Sequence, residues 1–443
     1  MIKLKISRLS EILALTRQNE HKKAEPILAR FIADKFDIRS VKSLKIRKDN
    51  ISLNSVNGTF EDGSARRFFF KFHLEENEAD TLDEYYKAEL LSKVGYAVEL
   101  PLFISRDVGE QILIYPYVEY ERLFDVCRRI EQGAESETEN IIAAQADMDR
   151  MAAEKCIATL TLAKGEDYIA EPLLQLFYWR LVDKQPDGTY LPGGRFKSFY
   201  LDKDFTFQGL ELPYAELSPL KWNINGVPYA ISLGEAFENA RNLLAPDSIS
   251  EYPACIAHGD AHNGNVWVKP DEKGKVTFSY FDPAFASEKM PVLLAEIKST
   301  FHNIFAHPDW LYQAAEAEKK LNISAEIKDG TLYVQHNWKL TNLRQRFLDS
   351  KKNLFWIPVL QELKKRKWLP ANWQDFMRAA LFCCPTLVMN LRAGTGTNVN
   401  MHTLKTSLLG LSIAMMCAST PISGDDIMSD FFNSLGRTLE GEV

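Results

Sequence analysis

The sequence predicts an α+β fold: a small strand-rich region with one helix, followed by a large and mostly helical region. Between residues 41 and 118, short apolar runs alternate with turn residues, which is typical of β-strands. A helical pattern at Glu75–Val94 interrupts these runs. After Arg122, apolar residues recur mainly at helical spacing, so the second part of the chain is predicted to be helical.

Length, composition and charge narrow the class of protein. A chain of 443 residues is long enough for two or three domains. Its 46% hydrophobic and 26% charged residues are ordinary for a soluble globular protein. The formal net charge of -7 argues against general binding to nucleic acid or to anionic membranes, so neither is expected as a partner. The oligomeric state stays open.

Cysteine usage and apolar runs bear on the cellular compartment. The six cysteines are scattered without a CxxC pair, which predicts reduced thiols instead of a disulfide framework or a zinc site. The first residues lack the continuous apolar core of a signal peptide. The longest apolar run, Leu408–Ala418, is about half of the roughly 20 residues needed to span a bilayer. These features favour a cytoplasmic protein.

The predicted organisation has three segments. Residues 1–36 form an N-terminal helical extension whose apolar face is predicted to cover the sheet, with binding to a partner as the alternative. Residues 37–118 form the small lobe. Residues 119–443 form the large lobe, with an insertion of loops, short helices and hairpins at about 165–252.

The strand predicted at Arg66–Leu74 carries a lysine among aromatic residues. Phe68, Phe70 and Phe72 lie on one face of this strand, whereas Lys71 lies on the other. A buried lysine in such a strand requires an anionic partner. The alternative is an edge position from which the side chain extends along the sheet to water.

One loop in the second part concentrates the polar chemistry. Asp260 and Asn265 lie in a glycine-containing loop, and the strands Val266–Lys269 and Val276–Phe281 after it are predicted to close as a hairpin. The hairpin returns Asp282 to the side of Asn265. Two carboxylates and an amide oxygen are therefore expected at one point.

These residue types suit phosphoryl transfer assisted by a metal. Carboxylate and amide oxygens are good ligands for Mg²⁺, which usually shares them with substrate phosphates. His258, Asp260 and Asn265 have the spacing H-x-D-x-x-x-x-N, in which a kinase catalytic loop places its base and a metal ligand. The alternative is an ordinary solvated turn, because an HGD tripeptide occurs by chance in many chains.

The segment HGDAHNGN, from His258 to Asn265, resembles the catalytic loop of the aminoglycoside phosphotransferase and choline kinase branch of the kinase-like superfamily, which is also written HGDxHxxN. That family places a metal-binding Asp after the next strand, as Asp282 is placed. Glu84 and Gly95 form a pattern similar to the family's E-x(10)-G. The resemblance covers roughly residues 41–118 and 256–305.

The resemblance implies a two-lobed protein-kinase-like fold and transfer of the γ-phosphoryl group of ATP to a hydroxyl of a small molecule. It makes Asp260 the catalytic base, with Mg²⁺ held by Asn265 and Asp282. It also implies that Glu84, with Glu89 in reserve, fixes Lys71 on the nucleotide phosphates. Further nucleotide contacts are implied in the phosphate loop and in the hinge, at Ser52, Asn54, Ser55, Tyr115, Pro116, Tyr117 and Val118.

The chain departs from the family pattern in two places. Asn50–Asn57 lacks the glycines of a kinase G-x-G-x-x-G loop, and the acidic residues after Asp282, Glu288 and Glu296, are out of register for a second metal ligand. These departures leave open a catalytically silent kinase-like module that binds a nucleotide or a partner. A protein kinase is disfavoured because DFG and APE are missing, and a P-loop NTPase because GxxxxGK[ST] is missing.

The acceptor molecule is not identified by the sequence, and aminoglycosides, amino alcohols, sugars and nucleosides all stay open. The insertion offers possible contributors to an acceptor site, each of which could equally be a packing residue: Trp179, Arg180, Tyr190, Arg195, Tyr200 and Trp222.

The C-terminal part is predicted as a series of helices interrupted at Pro370 and Pro385. The loop Ala393–Asn400 is predicted to be a connector, with a lid over the acceptor as the alternative. The polar tail after Pro421 is predicted to be frayed.

Overall fold

The structure is a computed structural model that describes residues 8–47, 55–73, 80–105, 107, 109–395 and 401–441, with the backbone alone for residues 55, 73 and 80–85. The chain divides into two compact units. The first contains residues 1–121 and the short segment 279–284. The second contains residues 122–278 and 285–443.

The first unit combines helices with a single sheet. Its elements are α1 (Arg8–Arg17), α2 (His21–Phe36), β1 (Lys42–Ile46), β2 (Ser55–Glu61), β3 (Arg67–His73), α3 (Asp80–Val94), β4 (Phe103–Ser105) and β5 (Ile112–Pro116). The sheet is antiparallel with strand order β1-β2-β3-β5-β4. Helix α3 follows β3, and Gly95, with φ +97°, ends it as predicted.

One face of this sheet forms the core of the first unit. Phe68, Phe70 and Phe72 of β3 are buried, as the alternation in the sequence predicted. They belong to one hydrophobic cluster with Leu9 and Ile12 of α1 and with Leu28, Phe31 and Ile32 of α2. The two N-terminal helices thus cover the aromatic face of the sheet, since their apolar stripes and that face are buried together.

The second unit is mostly helical and carries several small sheets. Its elements, beginning at the boundary with the first unit, are β6 (Glu121–Arg122), α4 (Leu123–Glu131), α5 (Thr138–Ala158), β7 (Thr161–Leu162), α6 (Gly165–Ile169), β8 (Val182–Lys184), β9 (Tyr190–Pro192), α7 (Gly194–Phe199), β10 (Asp204–Phe207), β11 (Leu210–Pro213), α8 (Tyr214–Leu217), β12 (Lys221–Ile224), β13 (Val227–Pro228), α9 (Leu233–Leu243), β14 (Pro253–Ala257), β15 (Val266–Pro270), β16 (Val276–Tyr280), β17 (Ser287–Pro291), α10 (Ile297–Thr300), α11 (Ala314–Lys320), β18 (Ile323–Lys328), β19 (Thr331–His336), α12 (Asn342–Ser350), α13 (Ile357–Arg366), α14 (Trp373–Val388), α15 (Leu404–Ala418) and α16 (Ile427–Glu440). Two π-helical turns, Phe301–Phe305 and Lys351–Trp356, extend α10 and α12. The predicted α+β class, with a small antiparallel sheet unit and a large helical unit, is confirmed.

The insertion predicted at about 165–252 is built of short elements. Strands β8 and β9 form one hairpin, and β10 and β11 form another. Strand β12 pairs in parallel with β19, so the insertion shares a sheet with the later hairpin β18–β19. Within the described residues, no helix is long and apolar enough to cross a membrane.

Two predictions for the C-terminal part are wrong. Pro385 lies inside α14 and does not interrupt it, because the surrounding residues from Phe376 to Leu387 are all buried and their packing outweighs the cost of one proline. The tail after Pro421 forms α16. Its buried Met428, Phe431, Phe432 and Leu435 have helical spacing, which attaches the tail to the core.

A buried histidine beside the 393–400 loop predicts a pH-dependent stability. His402 is 1% exposed, and burial lowers its pKa to about 4. The unfolded chain therefore binds the proton more readily, and the stability present above pH 6.5 is lost as the pH falls towards 4. The loss attributable to this side chain is about 2 kcal/mol at pH 5.

We expect His402→Gln to reduce the shift in the urea unfolding midpoint between pH 7.5 and pH 5.0. Comparing the two proteins at both pH values separates this effect from any change in stability that is independent of pH. An equal shift in wild type and variant would show that His402 is not responsible.

Candidate active site

The predicted catalytic loop begins where β14 ends. Gly259 has φ +77°, and a Cβ added there would lie 2.6 Å from the Met290 side chain and 2.9 Å from the Phe285 carbonyl oxygen. Only glycine meets both conditions without strain. The sharp turn at this glycine sets the direction in which Asp260 leaves the strand.

Side chains of the loop hold its own backbone. The Asp260 N–H donates to His258 Nδ1 at 3.3 Å, and the Gly264 N–H donates to His262 Nδ1 at 3.0 Å. Asn265 Nδ2 donates to the Asp260 carbonyl oxygen at 3.0 Å. These contacts join the first and last residues of the motif. Among the described residues, Asn265 Oδ1 accepts no hydrogen bond, so it is available to a metal.

Asn303 braces the loop from the π-helical turn of the same unit. Its Oδ1 accepts from the Asn263 N–H at 2.6 Å, and its Nδ2 donates to the Ala261 carbonyl oxygen at 3.3 Å. Arg344 in turn donates to the Asn303 carbonyl oxygen at 2.8 Å. A buried series of hydrogen bonds, from Arg344 through Asn303, thus fixes the conformation of the loop backbone.

The Asp260 carboxylate forms an ion pair with Lys298 of α10, with 2.6 Å between Nζ and Oδ1. Both side chains are largely buried, at 8% and 14% exposure. His262 Nε2 lies 3.9 Å from the other carboxylate oxygen. Burial raises the pKa of Asp260, but the charges of Lys298 and His262 and the hydrogen bond from Lys298 outweigh it and hold the pKa well below its usual value. Asp260 is therefore ionised at neutral pH.

A buried triad fixes the start of α10, the helix that carries Lys298. Lys351 Nζ lies 2.5 Å from Asp149 Oδ1 and 2.8 Å from Glu296 Oε2, and all three side chains are at most 4% exposed. Glu296 immediately precedes α10 and also accepts a hydrogen bond from Ser299. One cation between two carboxylates thus anchors the helix in a buried environment, where a missing partner is costly.

In the first unit, Lys71 and Asp282 form an ion pair of 3.1 Å. Lys71 is 15% exposed and Asp282 46% exposed. The aromatic strand therefore carries a lysine with an anionic partner, one of the two possibilities that the sequence allowed. Asp282 has φ +55°, a backbone conformation that is uncommon outside glycine and that often marks functional sites.

Several hydrogen bonds hold the segment 279–284 in the first unit. The Tyr280 N–H donates to the Ala97 carbonyl oxygen at 2.7 Å, and the Glu99 N–H donates to the Tyr280 carbonyl oxygen at 2.9 Å. Ser279 Oγ donates to Glu99 Oε1 at 2.6 Å. Lys87 Nζ donates to the Ala284 carbonyl oxygen at 2.7 Å. Asp282 lies between these anchors, which hold it against β3.

The predicted adenine-binding residues lie at the end of β5 and directly after it. The Phe69 and Tyr115 rings lie on the same face of the sheet as Lys71, with 6.4 Å between their centroids. The Tyr117 N–H donates to the Arg67 carbonyl oxygen, whereas the Val118 N–H has no partner among the described residues.

Several predicted residues are placed only in part. Ser52 and Asn54 lie outside the described residues, and so do the side chains of Ser55 and Glu84. Glu89 pairs with Lys93 at 2.9 Å on the surface of α3. Asn265 belongs to the second unit and Asp282 to the first, so their proximity stays a prediction.

The other candidate residues have mixed outcomes. Glu296 is occupied by Lys351, which removes it as a free second metal ligand. Tyr200 and Trp222 are fully buried and act as packing residues. Trp179 and Tyr190 pack against each other, with 5.4 Å between ring centroids. No group of three or more metal-ligating His, Cys, Asp or Glu side chains occurs within the part of the chain that the structure describes.

Sequence analysis did not identify Lys298 and Asn303 as site residues. Both lie in the apolar stretch 291–305, and each contacts the loop at 260–263 from about forty positions away in sequence. The available signal was their polarity, because a lysine and an asparagine in a buried stretch need specific partners.

No protein-family model matches this sequence, and no curated protein matches it. Similar solved structures include the GDP and kanamycin complex of APH(2″)-IIIa, at 10% identity over 94% of this chain and 97% of that chain, with a TM-score of 0.41. An aminoglycoside phosphotransferase from Streptomyces rimosus is 14% identical over 74% of this chain and 97% of that chain, with a TM-score of 0.35. A macrolide 2′-phosphotransferase from Brachybacterium faecium is 12% identical over 81% of this chain and 98% of that chain, with a TM-score of 0.32. The function assigned below rests on the residues and contacts of this chain.

Proposed function

We propose that this protein is a phosphotransferase that moves the γ-phosphoryl group of ATP to a hydroxyl of a small molecule. The observation that carries the proposal is the catalytic loop. Its Asp260 is ionised, paired with Lys298 at 2.6 Å, and joined to Asn265 by a hydrogen bond of 3.0 Å to its carbonyl oxygen. This is the arrangement that a loop needs to present a base and a metal ligand at a fixed separation.

Asp260 orients the acceptor hydroxyl and accepts its proton. A carboxylate with a low pKa is a weak base, but phosphoryl transfer depends mainly on placement and on charge neutralisation. Lys298 is a positioning residue that fixes the orientation of the carboxylate. His258 and Asn303 keep the loop backbone in place.

Magnesium fits the oxygen donors of the chain. Asn265 Oδ1 and the half-exposed carboxylate of Asp282 would hold the ion together with substrate phosphates, since Mg²⁺ is commonly bound by one or two protein oxygens. The bound ion would neutralise phosphate charge. Lys71 would bind phosphate oxygens from β3, with Glu84 as its proposed anionic support, and Val118 would meet the adenine.

Thermal melts and an acceptor screen test this function. We expect ATP with Mg²⁺ to raise Tm by several degrees, by more than ATP with EDTA, because a bound ligand stabilises the folded state. GTP is the matched alternative nucleotide. ADP formation that depends on an added hydroxyl compound would then establish transfer. Protection by nucleotide without turnover of any acceptor would favour the catalytically silent module.

A further inference from the structure

The charges around Asp260 in the second unit are mainly positive. Lys298 is already at ion-pair distance from Asp260, which is its only carboxylate partner among the described residues. His302, one helical turn after Lys298, hydrogen-bonds Tyr312. Burial and then the charge of Lys298 lower the pKa of His302, so this imidazole is neutral at neutral pH. Asp260 therefore has no uncompensated negative charge to offer a cationic acceptor.

Two arginines add positive charge to the same cluster. Arg180 Nη1 and Arg195 Nη1 both donate to the Leu387 carbonyl oxygen at the end of α14, at 3.1 and 2.8 Å. Neither guanidinium has an ion-pair partner in the described part of the chain. Burial and the charge of Arg195 lower the pKa of Arg180 to about 10, whereas the nearby charge of Asp260 raises it. Helix α7, which carries Arg195, and helix α10, which carries Lys298, both pack against α14, so the two arginines and the ion pair of Asp260 are arranged around the same helix.

The hydrogen bonds to the end of α14 do not use all the N–H donors of the two arginines. A guanidinium has five N–H donors, and one nitrogen of each side chain is sufficient for the carbonyl contacts. Both side chains are only half-buried, so donors are left to bind a solute. Planar guanidinium groups favour carboxylate and phosphate, which they bind through paired hydrogen bonds.

We propose that the phosphoryl acceptor is a small hydroxyl compound that also carries an anionic group, with the hydroxyl at Asp260 and the anion at Arg180 and Arg195. The inference rests on the proposed phosphotransfer at Asp260. The class includes hydroxy acids and phosphorylated sugars. Acceptors bearing an ammonium group would face three permanent positive charges and one carboxylate that is already paired.

The transfer step balances with ATP as the donor. The acceptor oxygen forms a bond to the γ-phosphorus as the bond from that phosphorus to the bridging oxygen breaks. ADP leaves with the electron pair of the broken bond. The hydroxyl proton passes to the Asp260 carboxylate and then to water.

The test is a screen for ADP formation over matched acceptors, with ATP and Mg²⁺ present. Each set has one carbon skeleton in neutral, carboxylated, phosphorylated and aminated forms, for example sorbitol, gluconate, glucose 6-phosphate and glucosamine. We expect kcat/KM to be at least tenfold higher for an anionic member than for its neutral or aminated counterpart. The carboxylated and phosphorylated arms show which anion is used.

Arg180→Gln is the decisive variant, and Arg150→Gln, an exposed arginine of α5, is its matched control. Since Arg195 also donates to Leu387, the end of α14 stays capped in the variant. We expect kcat/KM for the anionic acceptor to fall about 10²-fold in Arg180→Gln, with KM rising, and kcat/KM for a neutral analogue to fall by a much smaller factor. The control should match wild type.

Two results would overturn the inference while leaving the proposed function in place: a neutral or aminated compound as the best acceptor, or no effect of Arg180→Gln on turnover of the anionic compound. Failure of the proposed function has another signature, since no compound of any charge would then be phosphorylated, whether or not ATP and Mg²⁺ protect the protein.

Discussion

Replacing Asp260 with asparagine is expected to lower kcat at least about 10³-fold while nucleotide binding persists. Asparagine keeps an oxygen where the carboxylate is, but it neither accepts the hydroxyl proton nor balances the charge of Lys298 at 2.6 Å. The measurement is ADP formation with the best acceptor, alongside the shift in Tm produced by ATP and Mg²⁺. Because the nucleotide residues proposed here lie elsewhere in the chain, that shift should be close to the wild-type shift.

Asp147→Asn, at an exposed carboxylate of α5, controls for removing one negative charge from the same unit. Some loss of stability is expected in Asp260→Asn alone, because the buried ammonium of Lys298 loses its partner. The rate is therefore compared at a temperature where both variants are folded. Turnover within tenfold of wild type would exclude Asp260 as the base.

Asp282→Ala is expected to lower kcat about 10²- to 10³-fold at saturating ATP and to raise the concentration of Mg²⁺ needed for half-maximal rate. The variant removes the carboxylate that pairs with Lys71 at 3.1 Å and that is proposed to bind the metal. A titration of Mg²⁺ at fixed ATP separates the two roles. Loss of the metal ligand shifts the titration, whereas loss of the lysine partner alone changes only the maximal rate.

Lys71→Met tests the role of Asp282 as the partner of Lys71 by itself. The variant breaks the same ion pair but keeps the carboxylate that is proposed to bind the metal. Asp187→Ala, in an exposed turn of the second unit, is the control for carboxylate removal. An unchanged Mg²⁺ titration in Asp282→Ala would remove this residue from the metal site.

Local patterns predicted the features that depend on neighbouring residues. The alternation of Phe68, Phe70 and Phe72 was sufficient to assign the buried face of β3, because side chains in a strand alternate between faces whatever lies opposite. The loop from His258 to Asn265 could be recognised because its polar residues and glycines lie within eight consecutive positions, where their spacing is read directly. The glycine in it is required by the backbone itself.

Contacts between distant positions were beyond the sequence. Lys298 and Asp260 meet only because α10 packs beside the catalytic loop, and a single chain gives no sign of that register. Arg180 and Arg195 could be named from the sequence as possible contributors to an acceptor site, but their shared contact with the end of α14 depends on how the insertion packs on that helix. The C-terminal helix was missed for another reason. Polar residues predominate in this segment, so the helical spacing of its four apolar residues was not recognised.

The triad of Lys351, Asp149 and Glu296 has a consequence for how sequences with this fold can diverge. Loss of Lys351 leaves two carboxylates without a cation in a dry interior, which costs several kcal/mol, and loss of either carboxylate leaves the hydroxyl that donates to it without this acceptor. Substitution of one of these three residues alone should therefore be rare. The three should be replaced together, for instance by three apolar residues of similar volume. Among distant descendants, the three positions should be inherited together or lost together.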